Sequence, residues 1–428
     1  MNHRKKRYYS IIALCMLTLT VFAQESIQTN SPYSRYGFGK LTDQVGSNSK
    51  AMGGIGYGLR NGFFVNPTNP ASYSAVDSLT FIFDLGMSLQ NANFSENGIK
   101  TNAKNSSLDH IAMQFRLWER MGMTVGFVPY SNVGYSFQTS HTLTDQSSDA
   151  SVDTYSTYSG NGGLQQIMVG LGYRIFNNLS IGVNGAYLYG DINHVNQTMF
   201  SNANAYRSVR RHEISVSDFK LDLGLQYTMK LSKNDKLNIG AVYGLGHEMN
   251  SKGRRYDEIW STSSTVLTSK GDSIKNGFEM PQTFGVGFTY VHNDKLTIGA
   301  DFTLQKWGDS KFFGEKGQLT DRKKLSIGME YVPDKQGRGY FKRINYRAGA
   351  YYSEPYTKID GKDGAKEYGV SAGIGLPLHL YYCKSYLSIS GQFVHVAPKV
   401  SGMLKENYLR INIGMTFNEP WFMKRRVN

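Results

Sequence analysis

The sequence predicts an all-β fold, a 14-stranded antiparallel transmembrane β-barrel with an N-terminal plug, or hatch, in its lumen. Three observations predict it. From about residue 79 to 418 the chain alternates apolar and polar residues with a period of two. Its connections alternate between long polar stretches and short turns, and residues 24–78 follow neither pattern. Composition agrees: 40% hydrophobic, 13% aromatic and 46 Gly against 10 Pro is too apolar for a disordered chain and lacks collagen's glycine period. A length of 428 residues would allow two or three domains, but the single repeated pattern argues for one wall.

The first element is residues 1–23. Arg4, Lys5, Lys6 and Arg7 precede an uncharged apolar stretch from Ile11 to Phe22, and Val21-Phe22-Ala23 offers small residues to a signal peptidase. A signal peptide cut after Ala23 is expected, since the apolar core is too short for a membrane anchor. Its removal takes four of the 47 Lys and Arg, leaving 43 against 33 acidic residues. The remaining cations are scattered with no aromatic-interleaved groove, so nucleic acid is not an expected partner. Cys383 then stands alone, which rules out an intrachain disulfide.

Residues 24–78 come next. They hold Ser31-Pro32-Tyr33-Ser34-Arg35-Tyr36-Gly37, Gly53-Gly54-Ile55-Gly56 and Asn66-Pro67-Thr68-Asn69-Pro70-Ala71. Gly supplies unusual dihedrals and close backbone approach, while Pro fixes φ. With Tyr33, Tyr36, Phe38, Phe63 and Phe64 among them, these residues read as a compact plug rather than a loose tail. Asn66, Pro67, Asn69, Pro70 and Ala71 are its candidate anchoring turn.

The barrel, 79–418, divides into fourteen segments near 79–90, 107–118, 121–138, 164–175, 179–196, 212–229, 236–250, 278–290, 295–306, 322–332, 341–353, 366–377, 386–396 and 408–418. In one, Leu296, Ile298, Ala300, Phe302 and Leu304 alternate with Thr297, Gly299, Asp301, Thr303 and Gln305. A period of two is a strand with one apolar face. Stretches 139–163, 251–277 and 307–321 are expected as long outer loops, and Glu119-Arg120, Asn177-Asn178 and His292–Asp294 as short periplasmic turns. A soluble sandwich would have no reason to keep that alternation. Lipid cannot satisfy open backbone groups, so the sheet must close, apolar face outward. Asp84, Arg116, Arg174, Asp222, Asp301, Glu330 and Arg410 then fall inside, where opposite charges would pair. Trp118, Tyr173, Tyr227, Tyr290, Tyr331 and Trp421 cluster near the short-turn ends as an interfacial girdle. Residues 419–428 remain as a periplasmic tail.

On these residues the chain resembles the long-chain fatty acid transporter-like outer-membrane barrels, in the broad sense that includes a Bacteroidota branch. That family has fourteen strands and a luminal hatch with an Asn-Pro-Ala motif, which Asn69-Pro70-Ala71 resembles after Gly53-Gly54, Phe64 and Asn66-Pro67. Glu406-Asn407-Tyr408 and Trp421-Phe422-Met423-Lys424-Arg425 resemble endings of Bacteroidota members. The likeness covers nearly the whole mature chain, mostly as architecture. It implies residence in the cell outer membrane among lipids, and passive uptake of hydrophobic or other small molecules past the hatch. It equally admits a non-transporting, membrane-embedded subunit or scaffold of an outer-membrane protein secretion or assembly complex, with protein partners. The Ser/Thr/Asp-rich stretch 139–163 departs from the apolar landing area that a fatty-acid receiver would show.

Little points to catalysis. His-Glu-x-x-His and Gly-x-x-x-x-Gly-Lys are absent, and the one Gly-x-Ser-x-Gly run, Gly369 to Gly373, falls inside the expected strand 366–377 and so makes no strand-to-helix elbow. His212-Glu213 and His247-Glu248 lack the second histidine of a zinc pair, and Gly53-Gly54-Ile55-Gly56 has no predicted flanking strand and helix to make a dinucleotide loop. No catalytic residue, metal ligand or cofactor is expected, although spacing alone does not exclude a Ser–His pair at the barrel edge.

Overall fold

A computed structural model describes residues 29–420 apart from 79, 97, 145–150, 203, 360, 381–382 and 400–402. The expected signal peptide, residues 24–28 of the expected plug, Leu79, Trp421 and the ending 421–425 lie outside the described residues.

Fourteen antiparallel strands form the wall. They are β1 (Thr80–Glu96), β2 (Ile99–Trp118), β3 (Met121–Thr144), β4 (Ser151–Arg174), β5 (Leu179–Phe200) and β6 (Arg207–Lys230). β7 is Asp235–Gly244 continued by Ser251–Trp260, and β8 is Val266–Lys275 continued by Thr283–His292. β9 (Leu296–Gln305), β10 (Arg322–Tyr331), β11 (Asn345–Ser353), β12 (Lys366–Leu380), β13 (Cys383–Ala397) and β14 (Lys405–Pro420) complete it. Each strand pairs with the next, and β1 pairs with β14 from Thr80↔Pro420 to Ser95↔Lys405, closing the sheet.

Burial is inverted relative to a soluble protein. On β9, Ile298 and Phe302 are 44% and 40% exposed, while Asp301 between them is 5% exposed. Leu223, Leu225, Leu325, Ile327, Ile411 and Ile413 are likewise exposed, whereas Asp84, Asn184, Gln226, Thr289, Ser326 and Thr416 are buried. Exposed apolar rows around a closed sheet are stable only against hydrocarbon, so the wall is a transmembrane barrel of the outer-membrane type. Trp118, Tyr173, Tyr227 and Tyr331 stand exposed near the short-turn ends, and Tyr290 half-exposed with them, as a girdle requires.

Two expectations about the connections need correcting. The stretches 139–163 and 251–277 are largely strand: β3 and β4 pair as far as Thr144↔Ser151, and Ser251–Trp260 pairs with Val266–Lys275. These parts are polar on both faces, so they carry no alternation, yet their Thr, Tyr and Val suit strands and their cross-strand rings pack, as Phe137 and Tyr158 do at 5.1 Å. On the short-turn side, the connection 332–344 is long and carries a 3-10 turn at Tyr340–Arg343. The expected connection 307–321 is irregular, apart from a 3-10 turn at Trp307–Asp309.

Residues 29–78 pack against the face of the wall opposite the exposed apolar one. They contain 3-10 turns at Pro32–Arg35 and Pro70–Ala75, a helical turn at Ser47–Lys50, and a two-residue strand, Lys40–Leu41, paired with Asn132 and Ser131 of β3. Towards the outer side, Phe38 sits in an aromatic cluster. Its ring centroid lies 5.7 Å from Phe278, 5.8 Å from Trp307 and 5.3 Å from Phe312.

Candidate functional site

The candidate site is the contact between residues 29–78 and the wall. Its centre is the turn singled out in the sequence. Asn69 caps the 3-10 turn by accepting the Ala71 N–H at 3.1 Å, and Pro70 fills the first position, where no N–H is needed. The Asn69 amide donates to the carbonyls of Tyr57 (2.9 Å) and of Leu225 on β6 (3.1 Å). Asn66 donates to the Gly56 and Leu59 carbonyls at 2.7 and 3.0 Å. The two asparagines thus tie run 56–59 to turn 66–71, and Asn69 also ties it to the wall. The Pro67 carbonyl accepts from Asn184 of β5 at 3.2 Å, and Ala71 is fully buried.

The wall contributes side chains from many strands. Asp301 on β9 accepts the N–H groups of Gly56 and Tyr57 at 2.5 and 2.8 Å. Gln226 on β6 donates to the Tyr57 and Leu59 carbonyls and accepts from Arg60. Thr289 on β8 donates to the Gly58 carbonyl at 2.7 Å, and Ser371 on β12 accepts from the Gly53 N–H at 3.1 Å. Six backbone polar groups of an irregular run of chain are thereby satisfied by side chains of the wall.

Glycines make the approach possible. Gly122, Gly172, Gly182 and Gly224 lie directly opposite one another across β3 to β6, and Gly299, Gly328 and Gly349 do so across β9 to β11. A Cβ at Gly240 would lie 1.8 Å from the Tyr57 carbonyl oxygen, at Gly122 2.0 Å from that of Tyr73, and at Gly182 2.3 Å from the Pro70 carbonyl carbon. The rows are shelves on which backbone rests on backbone.

The seven charged candidates do not pair with one another. Asp84 is buried and bonds His110 at 2.8 Å and Thr416 at 2.8 Å. Asp222 pairs with Lys220, and Glu330 with the buried Arg347 at 2.7 Å. Arg410 donates to Gln90 at 2.6 Å. Arg116 turns back onto the Trp118 and Glu119 carbonyls, and Arg174 stands half-buried near the same end. Asp301 alone among them holds the N-terminal segment's backbone by two bonds.

Ser47, His110 and Asp84 form a contact that looks catalytic and is not built as such. The Ser47 hydroxyl (3.3 Å) and the Asp84 carboxylate (2.8 Å) both meet the same nitrogen, His110 Nε2, while buried Nδ1 has no partner among the described residues. A nucleophile–base–acid relay uses the two ring nitrogens on opposite sides. Among the described residues no group of three His, Cys, Asp or Glu could hold a metal ion.

Three cavities adjoin residues 40–45, of about 80, 140 and 90 Å³. Charged side chains of both signs line each: Lys40, Arg322, Arg410 and Glu367 among others the first, Asp222, Asp301 and Lys324 the second, Lys40, Arg322, Glu367 and Glu406 the third.

A closed fourteen-stranded wall with one exposed apolar face, against whose polar face an N-terminal segment is hydrogen-bonded, defines an outer-membrane barrel with the architecture of the fatty-acid and hydrocarbon transporters. Solved structures of this fold include the CymD monoaromatic hydrocarbon channel (15% identity, 87% of this chain and 97% of that one, TM-score 0.57). The P. putida toluene transporter TodX is similar (17%, 89% and 100%, TM-score 0.58), as is a Pseudomonas aeruginosa FadL homologue (13%, 87% and 97%, TM-score 0.57). At these identities the likeness is one of fold. More specifically, the chain belongs to the BamG family, whose model it matches over residues 5–428. No curated protein matches it.

Proposed function

We propose that this is an outer-membrane barrel for passive uptake of small molecules, with residues 24–78 acting as a plug that closes its lumen, delivered by an N-terminal signal peptide cut after Ala23. The observation that carries it is the attachment of 29–78: one continuous segment, held to at least five strands by side-chain hydrogen bonds and by no described strand pairing other than Lys40–Leu41 with β3. Such a segment is secured tightly enough to seal and loosely enough to move. Asn66, Pro67, Asn69, Pro70 and Ala71 are its proposed anchor. The likeness of fold to hydrocarbon and toluene transporters supports the reading, and the charged linings of the flanking cavities favour polar solutes beside hydrophobic ones. The Bacteroidota branch is the setting we infer, from Glu406-Asn407-Tyr408 at the start of β14.

A second reading has its own observation. β3 to β8 extend well past the span of β9 to β11, as suits a membrane-embedded subunit of a secretion or assembly complex that offers its outer surface to protein partners. One experiment separates the two. Deleting 31–71 should leave the wall intact, and single-channel recording should then show conductance that the full chain lacks. Unchanged conductance would count against a plug. A protein partner that co-purifies with the full chain and is lost with the deletion would favour the subunit reading.

A further inference from the structure

The cavity of about 80 Å³ is lined by four cations, Lys40, Lys50, Arg322 and Arg410, and three carboxylates, Asp43, Asp109 and Glu367. Lys40 from the N-terminal segment, Arg322 of β10 and Arg410 of β14 all line it, and among the described residues no carboxylate oxygen lies within 4.0 Å of any of them. Lys40 and Arg410 instead share one ring: their charges lie 4.0 and 5.4 Å from the Tyr408 centroid. Among the described residues Arg322 hydrogen-bonds neutral groups, Ser353 at 3.0 Å and Gln305 at 3.4 Å.

The acids nearby are already engaged. Asp43 pairs with Lys324, and Asp109 with Lys50 at 2.6 Å. Burial alone would raise the Asp43 carboxyl, but the Lys324 charge and hydrogen bond outweigh it and hold that group below the usual carboxylate range. Glu367 accepts the Tyr351 hydroxyl at 2.7 Å, and Glu406 accepts those of Ser31 (2.7 and 2.9 Å) and Tyr408. Hydroxyls bond these two carboxylates, so Lys40, Arg322 and Arg410 face one polar space in which Glu367 is the single lining carboxylate without an ion pair within 4.0 Å among the described residues. Like charges held together away from bulk water are costly unless an anion joins them. Guanidinium forks match the planar edge of a carboxylate or phosphate, and Gln90, Gln392 and Tyr351 add neutral polar groups to the lining.

We propose that this cavity binds a small oxyanion, a carboxylate or phosphate group, between Lys40, Arg322 and Arg410. The site goes beyond the uptake reading and does not depend on it, because a barrel that never conducts would still bind the ion. The occupant's anionic group would bridge the N-terminal segment to β10 and β14, so it would also steady that segment.

The test titrates inorganic phosphate into the purified full-length barrel by calorimetry. Saturable binding is expected, weakened at least tenfold in Arg410→Gln and Arg322→Gln and unchanged in Arg210→Gln, whose side chain is exposed elsewhere. Lys40→Gln lies outside the wall and serves as a further variant should a wall substitution fail to fold, which loss of heat-modifiable gel mobility would reveal. Dihexanoyl phosphatidate in place of phosphate separates the sources: tighter binding assigns the oxyanion to a lipid headgroup, weaker binding to a free solute. Absence of saturable binding by either, or binding in folded Arg410→Gln and Lys40→Gln as tight as in the unsubstituted chain, would overturn the site.

Discussion

At residue scale the molecule depends on which atom is missing as much as on which is present. Gly240→Val should force the Tyr57 carbonyl off its shelf, costing about 1–3 kcal/mol as overpacking does, with urea unfolding of the reconstituted barrel as the measurement. Asn69→Ala should cost about 1–2 kcal/mol for the lost cap, and more where it strands the Leu225 carbonyl. Outside, Ile298→Arg or Leu223→Arg should cost about 2–4 kcal/mol near the bilayer midplane, while Thr303→Arg should cost less. Equal losses would mean the two faces are misassigned, and heat-modifiable mobility reads the difference. Asn66, Asn69, Pro70 and Asp301 were legible from the sequence because their chemistry is local or falls on a polar strand position. The glycine shelves were not, since a glycine's neighbour across the sheet depends on register, which one strand's pattern does not reveal.

At the scale of elements, period-two alternation found all fourteen strands because each crosses a boundary between hydrocarbon and a polar interior. It lost the strands where that boundary ends. In Ser151–Gly163 and Val266–Lys275 polar residues fall on both faces, and the few apolar ones (Val152, Val266, Leu267, Ile274) keep no period of two, so the pattern vanishes while the ladder continues. Topology follows from strand order. An epitope at 262, at the tip joining the upper parts of β7 and β8, should be reached by antibody on intact cells, and one at Asn177 should not. The reverse labelling would invert the barrel in its membrane.

For the whole molecule, the wall has unequal height. β3, β4 and β6 have 24 residues each, whereas β9 and β10 have ten. Ten residues tilted at about 45° rise roughly 23 Å, about enough for the apolar band and no more. The excess in β3 to β8 therefore stands beyond the membrane. Replacing 254–273 by a short turn should leave a ten-residue band unbroken around the barrel, with heat-modifiable mobility kept. If that change abolished the folded band, the upper hairpin would be part of what closes the wall.

The bonds between Ser31 and Glu406 bear on time as well as space. They join residues 375 apart, and the segment that leaves the ribosome first finds its partners on strands made up to the very end. The Ser31 hydroxyl cannot meet Glu406 until β14 has been made, so this contact at least is formed by the earliest-made described residues with the latest.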